Sequence, residues 1–131
     1  MRFMLDTNIC IQIMKHAGDR MLAKLMEHEG KMCISTIVAA ELRCGVAKSA
    51  ARKRNEQLLV EFLAPLEVIP FDEDAAESYG DLRAVLEKSG RPIGPLDTLI
   101  AGHALSLNAT LVTNNTREFQ RVRGLRVENW A

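Results

Sequence analysis

Three acids stand in segments that otherwise read as apolar and buried. Asp6 closes the run Met4-Leu5-Asp6-Thr7-Asn8, where a short strand should end. Glu41 lies inside Ile37-Val38-Ala39-Ala40-Glu41-Leu42, and Asp97 inside Gly94-Pro95-Leu96-Asp97-Thr98-Leu99-Ile100. Each has an ordinary alternative use. Asp6 suits a helix cap. Asp97 suits the positive end of a helix dipole. Glu41 can point to water. A lone ionised carboxylate is costly to desolvate, so three of them in apolar contexts suggest one shared purpose. The simplest is a hard divalent cation, Mg²⁺ or Mn²⁺, held by oxygen ligands. Such an ion makes a nucleophile of bound water and neutralises charge on a leaving phosphodiester oxygen.

Other side chains could support or compete with that chemistry. Thr7, Asn8, Thr113 and Asn115 are placed to hydrogen-bond the carboxylates or metal waters. Their competing use is capping and turn formation. His103 falls near the apolar face of its helix and reads as a packed histidine rather than a general base. Cys10 and Cys44 lie near the acidic segments, but no activating base is apparent for a thiolate nucleophile. With Cys33 they make an odd count without a CxxC pair, consistent with reduced thiols and too widely spaced for zinc.

The formal net charge is zero, which argues against a coat protein for nucleic acid. The distribution is uneven, however. Arg43, Lys48, Arg52, Lys53 and Arg54 occupy a stretch without acids, and Arg117, Arg121, Arg123 and Arg126 form a second basic run. These are candidate rims for a polyanionic substrate, with solvated helix faces as the competing reading. No apolar run approaches the length of a membrane span, and no signal peptide is evident, so a cytoplasmic, membrane-free protein is expected.

The elements that must position the acids alternate in type. Short strands are expected at roughly 2–5, 32–34, 68–69, 110–113 and 125–127. Helices are expected after Asp6, over 19–29, from Ser35 or Thr36 past Val46, over 50–63, over 72–88, from Pro95 to Leu107, and briefly over 116–119. Asp74 and Glu77 resemble a capping box for the fifth helix. The 131 residues suit one domain, 1–131. Alternating strands and helices imply an α/β fold with a mostly parallel sheet covered on both faces. Such sheets bind ligands beyond the carboxyl ends of their strands, where Asp6 and Asn114-Asn115 fall.

Four segments now resemble a known family. Met4 to Asn8, Ser35 to Gly45, Gly94 to Ala101 and Leu111 to Phe119 appear in the order and spacing of PIN-domain motifs, most closely those of VapC-type toxins. The resemblance runs from Asp6 to Val127. It implies a three-layer α/β/α sandwich and a Mg²⁺- or Mn²⁺-dependent endoribonuclease acting on RNA, often tRNA. It also implies a homodimer or hetero-oligomer held inactive by a cognate VapB-like antitoxin. The family's catalytic and metal-binding acids map onto Asp6, Glu41 and Asp97. Arg43, Lys48, Arg52 and Arg117 become candidate RNA contacts. The excess apolar residues of the first two helices become a candidate dimer interface or antitoxin groove.

One position departs from the pattern. The fourth acid of many PIN domains maps onto Asn115, an amide without charge. Three carboxylates and one firmly held ion are therefore expected, with a second ion recruited, if at all, with substrate phosphate; Glu118 is a candidate replacement acid but reads rather as a surface residue. Competing readings remain. An aspartyl phosphatase would want a second Asp at Asn8. A phospho-receiver fits the region around Asp72 poorly. The others are a nuclease of RNA maturation or decay and a non-catalytic metal-binding domain.

Overall fold

The computed structural model describes residues 1–131. Its strands are β1 (Phe3–Leu5), β2 (Met32–Ser35), β3 (Glu67–Ile69), β4 (Thr110–Val112) and β5 (Arg126–Glu128). Its helices are α1 (Thr7–Lys15), α2 (Asp19–Glu27), α3 (Thr36–Lys48), α4 (Arg52–Leu63), α5 (Glu73–Lys88), α6 (Pro95–Ser106) and α7 (Thr116–Phe119). All five expected strands form, in the order β3-β2-β1-β4-β5, and every neighbouring pair is parallel.

The sheet is apolar at its centre and charged at its edges. Phe3, Met4 and Leu5 are all buried, although successive strand residues face opposite sides. Both faces must therefore be covered, as parallel sheets require. Met4 registers with Cys33 on one side and Leu111 on the other, both also buried. The edge strands carry Glu67, Arg126 and Glu128 outward, which discourages pairing with another sheet. At the amino end of β1, Phe3 packs against Trp130 and His28, with ring centroids 5.3 and 4.1 Å away.

The order of strands reverses at β1. From β1 the chain moves outward through β2 and β3, then crosses back to β4 on the other side. The carboxyl ends of β1 and β4 thus flank the switch point, where parallel sheets leave a crevice.

Polar side chains at helix starts fix how each helix leaves its strand. Asp6 Oδ1 accepts from Ile9 N at 2.9 Å and starts α1. Ser35 Oγ accepts from Ile37 N at 3.0 Å and starts α3. Asp72, rather than Asp74, caps α5 by accepting from Ala75 N at 2.9 Å, so the expected Asp74–Glu77 box is displaced by two residues. Both segments offer an acid followed three residues later by a donor. The chain selects the one that leaves β3 directly. At the other end of α5, Gly90 adopts a left-handed φ of 71°. Arg91 N then reaches Leu86 O and Gly90 N reaches Glu87 O, closing a Schellman turn.

The closest helix contact lies between α5 and α6. A Cβ on Gly102 would sit 2.8 Å from Tyr79 Cα and 2.9 Å from Tyr79 N. That neighbour is backbone and cannot rotate away. Gly102→Ala is expected to lower stability by about 1–3 kcal/mol, the usual cost of overpacking. Urea unfolding measures it, and an unchanged midpoint would show that α5 can yield.

Candidate active site

The three sequence-identified acids arrive at the switch point from three separate elements. Asp6 follows β1 directly and is nearly inaccessible. Its backbone N donates to Val112 O at 3.1 Å, tying it to β4. Glu41 projects from the second turn of α3 and is half-buried. Asp97 lies in the first turn of α6, where Pro95 begins the helix and Thr98 Oγ1 donates to Gly94 O at 2.8 Å.

Neutral donors hold these carboxylates. Thr7 Oγ1 donates to Glu41 Oε1 at 2.6 Å. The Thr113 side chain hydrogen-bonds Asp6. Thr113 Oγ1 also accepts from Asn115 N at 2.9 Å, so one hydroxyl joins β4's exit to both residues. Asn115 does not face the other acids as a replacement acid; its amide donates to Glu118 Oε2. Asn8 is exposed, and no side-chain hydrogen bond holds it.

Glu118 corrects the sequence reading. It is half-buried rather than on the surface, and its Oε1 accepts from Gly94 N at 2.9 Å. A Cβ on Gly94 would lie 3.6 Å from Asp97 Oδ2 and 4.0 Å from Glu118 Oε1, so the two carboxylates flank one glycine. Glu118 thus stands three residues beyond Asn115 and close enough to Asp97 for their charges to interact. An acid three residues beyond Asn115 was the available signal, since that spacing brings the two side chains together across one helical turn.

The carboxylates disturb one another. Burial pushes Asp97 up to about 6, and the charges of Glu118, Asp6 and Glu41 add to the rise. Burial also raises Asp6, opposed by the hydrogen bonds from Thr113 and Ile9 and aided by Glu41. None of the four ion pairs in the structure involves any of these acids. The site is thus a concentration of negative charge without a cationic side chain to balance it. No three of its side chains have drawn close enough to close around an ion.

Arg43 and Arg52 line a concavity with Glu56 that shares Val46 with the groove Glu41 borders. Lys48 and Arg117 are exposed. Arg121 donates to Pro92 O, and Arg126 donates to Asn108 O, so part of the second basic run braces the chain. His103 is fully buried, consistent with the packed reading. Cys10 and Cys33 are buried, and Cys44 is exposed. Burial pushes the Cys10 thiol well up and Cys33 up to about 11, so neither supplies a thiolate near neutrality.

An apolar groove adjoins the acids. Ile11 and Met14 of α1, Leu42 and Val46 of α3 and Leu58 of α4 line it, with Glu41 and Lys15 among its polar residues. Elsewhere Met26 of α2 is 77% exposed, so α2 also presents apolar surface to solvent. No helix is long and apolar enough to cross a membrane.

Comparison with known proteins agrees with this architecture. Residues 3–125 match the PIN domain family, and the chain belongs to that family. Over 131 residues it is 45% identical to the tRNA(fMet)-specific endonuclease VapC of Shigella flexneri, covering 100% of this chain and 99% of that protein. It is 42% identical to Ribonuclease VapC2 of Haemophilus influenzae over 130 residues, 99% of this chain and 98% of that one. Among solved structures it matches DNA-bound VapBC from Salmonella typhimurium, with a TM-score of 0.97 and 43% identity. That match covers 100% of this chain and 99% of the other. VapBC2 from Rickettsia felis, bound to a promoter DNA fragment, matches with a TM-score of 0.95 and 43% identity across 100% of both chains.

The raised Asp97 carboxyl makes stability depend on pH. Unfolding returns it from about 6 towards its ordinary 3.8, so the folded protein binds this proton more tightly. Stability contributed below 3.8 is lost as pH rises through 6. Asp97→Asn removes that loss. In metal-free buffer the variant should melt above the wild type at pH 8 and close to it at pH 4. A melting difference equal at both pH values would contradict the raised carboxyl.

Proposed function

We propose that this chain is the ribonuclease toxin of a two-component toxin–antitoxin pair, cutting RNA phosphodiesters with a divalent cation at Asp6, Glu41, Asp97 and Glu118. The observation that carries this reading is the convergence of four carboxylates, uncompensated by any cation, at the switch point of a PIN fold. The names of its VapC relatives supply the substrate class, RNA, and the Shigella protein's name points to tRNA. The whole chain, 1–131, acts as one PIN unit.

The residues present fit Mg²⁺ or Mn²⁺. All four donors are hard oxygen ligands, and the rise of Asp97, owed first to burial, includes repulsion from Glu118, Asp6 and Glu41 that a dication would relieve. Mg²⁺ keeps several waters and takes few carboxylates directly, so it does not need all four at once. When bound, the ion supplies water activation and charge neutralisation at the phosphate. The chain's own residues do the rest. Thr7 fixes the Glu41 carboxylate, Thr113 fixes Asp6, and Asn115 with Gly94 N fixes Glu118. Arg43, Lys48, Arg52 and Arg117 lie outside this cluster and hold RNA backbone approaching from the rim.

The cognate partner is a VapB-like antitoxin, as in the VapBC complexes the chain resembles. Its apolar segment lies in the groove between α1, α3 and α4 and places a cation near the acids. The resulting assembly is hetero-oligomeric, built on a toxin homodimer, and it resides in the cytoplasm.

Purified, antitoxin-free protein is expected to cut total cellular RNA into discrete fragments with Mg²⁺ or Mn²⁺ and not with EDTA. Asp6→Asn should leave the RNA intact. Folded wild-type protein that leaves total RNA and tRNA uncut in every metal would sink the ribonuclease reading. Glu118→Gln should weaken Mn²⁺ binding by about 10-fold or more in calorimetry. Unchanged affinity would remove Glu118 from the site.

A further inference from the structure

His103 is a fully buried imidazole that the proposed chemistry does not use. Its Nδ1 lies 2.8 Å from Ser35 Oγ. Both ends of this hydrogen bond are fully buried. Its Nε2 is the molecule's one buried side-chain nitrogen or oxygen without a partner. The Phe71 ring stands edge-on beside the imidazole, with centroids 5.3 Å apart.

Ser35 Oγ accepts from Ile37 N and shares a second hydrogen bond with His103 Nδ1, whose direction depends on the ring's tautomer. Burial holds the imidazole below its ordinary range, opposed by Asp72, in agreement with a neutral ring. An apolar residue at 103 would avoid the unpartnered Nε2. The residue that stands there accepts that cost and gains a bond at Nδ1.

The two ends of this bond have a common relation to the acids. Ser35 ends β2 and caps α3, six residues before Glu41. His103 stands on α6, six residues after Asp97. Six residues span about 9 Å of helix. The bond joins the two acid-bearing helices at matched distances from their carboxylates. Helices packed by apolar side chains alone tolerate sliding, because dispersion and burial are weakly directional. A 2.8 Å bond between two buried side chains is directional and fixes one register.

We infer that His103 is a positioning residue of the proposed reaction, setting the placement of Asp97 relative to Glu41 through its hydrogen bond to the Ser35 cap. The inference rests on the ribonuclease reading for its consequence in rate, and on the hydrogen bond for its geometry.

The test compares His103→Asn, whose side-chain amide can sit near the place of Nδ1 and donate or accept, with His103→Leu and His103→Gln, which place no hydrogen-bonding group there. The readouts are kcat and KM for RNA cleavage, Mn²⁺ affinity by calorimetry, and melting temperature. His103→Leu and His103→Gln should lose about 10-fold in kcat with KM little changed, the scale of a sub-ångström misplacement. Mn²⁺ should bind several-fold more weakly. His103→Asn should recover most of both. Ser35→Ala combined with His103→Leu should lose no more kcat than the worse single variant. If His103→Leu does not fold, the Asn and Gln pair carries the comparison.

Wild-type kcat and Mn²⁺ affinity in folded His103→Gln would overturn the inference, as would Asn performing no better than Gln. If the wild type leaves RNA uncut, the ribonuclease reading fails alone, and the Mn²⁺ affinities of the same variants still decide the positioning role. A wild type that neither cuts RNA nor binds Mn²⁺ would overturn both.

Discussion

Like charges held together out of water set the terms for this fold. Four carboxylates meet at one end of a small sheet, and no lysine or arginine forms an ion pair with any of them. A paired cation would lower the local energy, but none is present. The chain instead holds its acids with backbone N–H groups, hydroxyls and one amide. Helix starts contribute as well: Asp6 caps α1, and Asp97 sits in the first turn of α6, where the dipole favours an anion. These partners steady each carboxylate without cancelling its charge. Burial raises Asp97 most, and the charges of Glu118, Asp6 and Glu41 add to that rise.

That tension explains why the scaffold around the acids is rigid. A cluster that repels itself spreads unless its supports are stiff. The buried strands β1 and β4 run side by side beneath Asp6 and Thr113. Gly102 seats α6 directly on the backbone of α5, which sets the height of Asp97 above the sheet. Ser35 starts α3 where β2 ends, which sets the direction of Glu41. The acids are positioned by strand ends and helix starts rather than by long loops, so small changes in packing reach them directly.

The architecture was legible because its signals are local and periodic. Apolar triplets such as Met32-Cys33-Ile34 mark buried strands, and Pro95 and Gly30 mark helix boundaries at their neighbours' expense. Asp6, Glu41 and Asp97 stood out as charges in apolar surroundings. Glu118 offered a replacement acid yet read as a surface residue, because its own segment, Thr116 to Phe119, is polar and only four residues long. Its inward aim comes from Gly94 N, 24 residues away, a contact no periodicity encodes. Asp72 and Asp74 offered equivalent local caps, and only the exit from β3 distinguishes them. The basic runs show the same limit: Arg43 and Arg52 come together at Glu56, whereas Arg121 and Arg126 brace backbone carbonyls. Charge runs are visible in sequence, but their partners are tertiary.

The apolar groove and the acidic cluster are joined by one helix face. Thr7, Ile11 and Met14 are spaced four and three residues apart along α1, which aligns them on a single stripe. At one end of the stripe, Thr7 holds Glu41; along the rest, Ile11 and Met14 line the groove. Glu41 belongs to both, as a member of the acid cluster and as a wall of the groove. A segment bound across Ile11 and Met14 therefore presses on the same helix that orients a carboxylate. Affinity and inhibition need not be separate devices in such an arrangement. Apolar contacts in the groove would supply binding energy, and Met14 and Glu41 line that same groove, so what fills it meets an acid as well as the apolar wall.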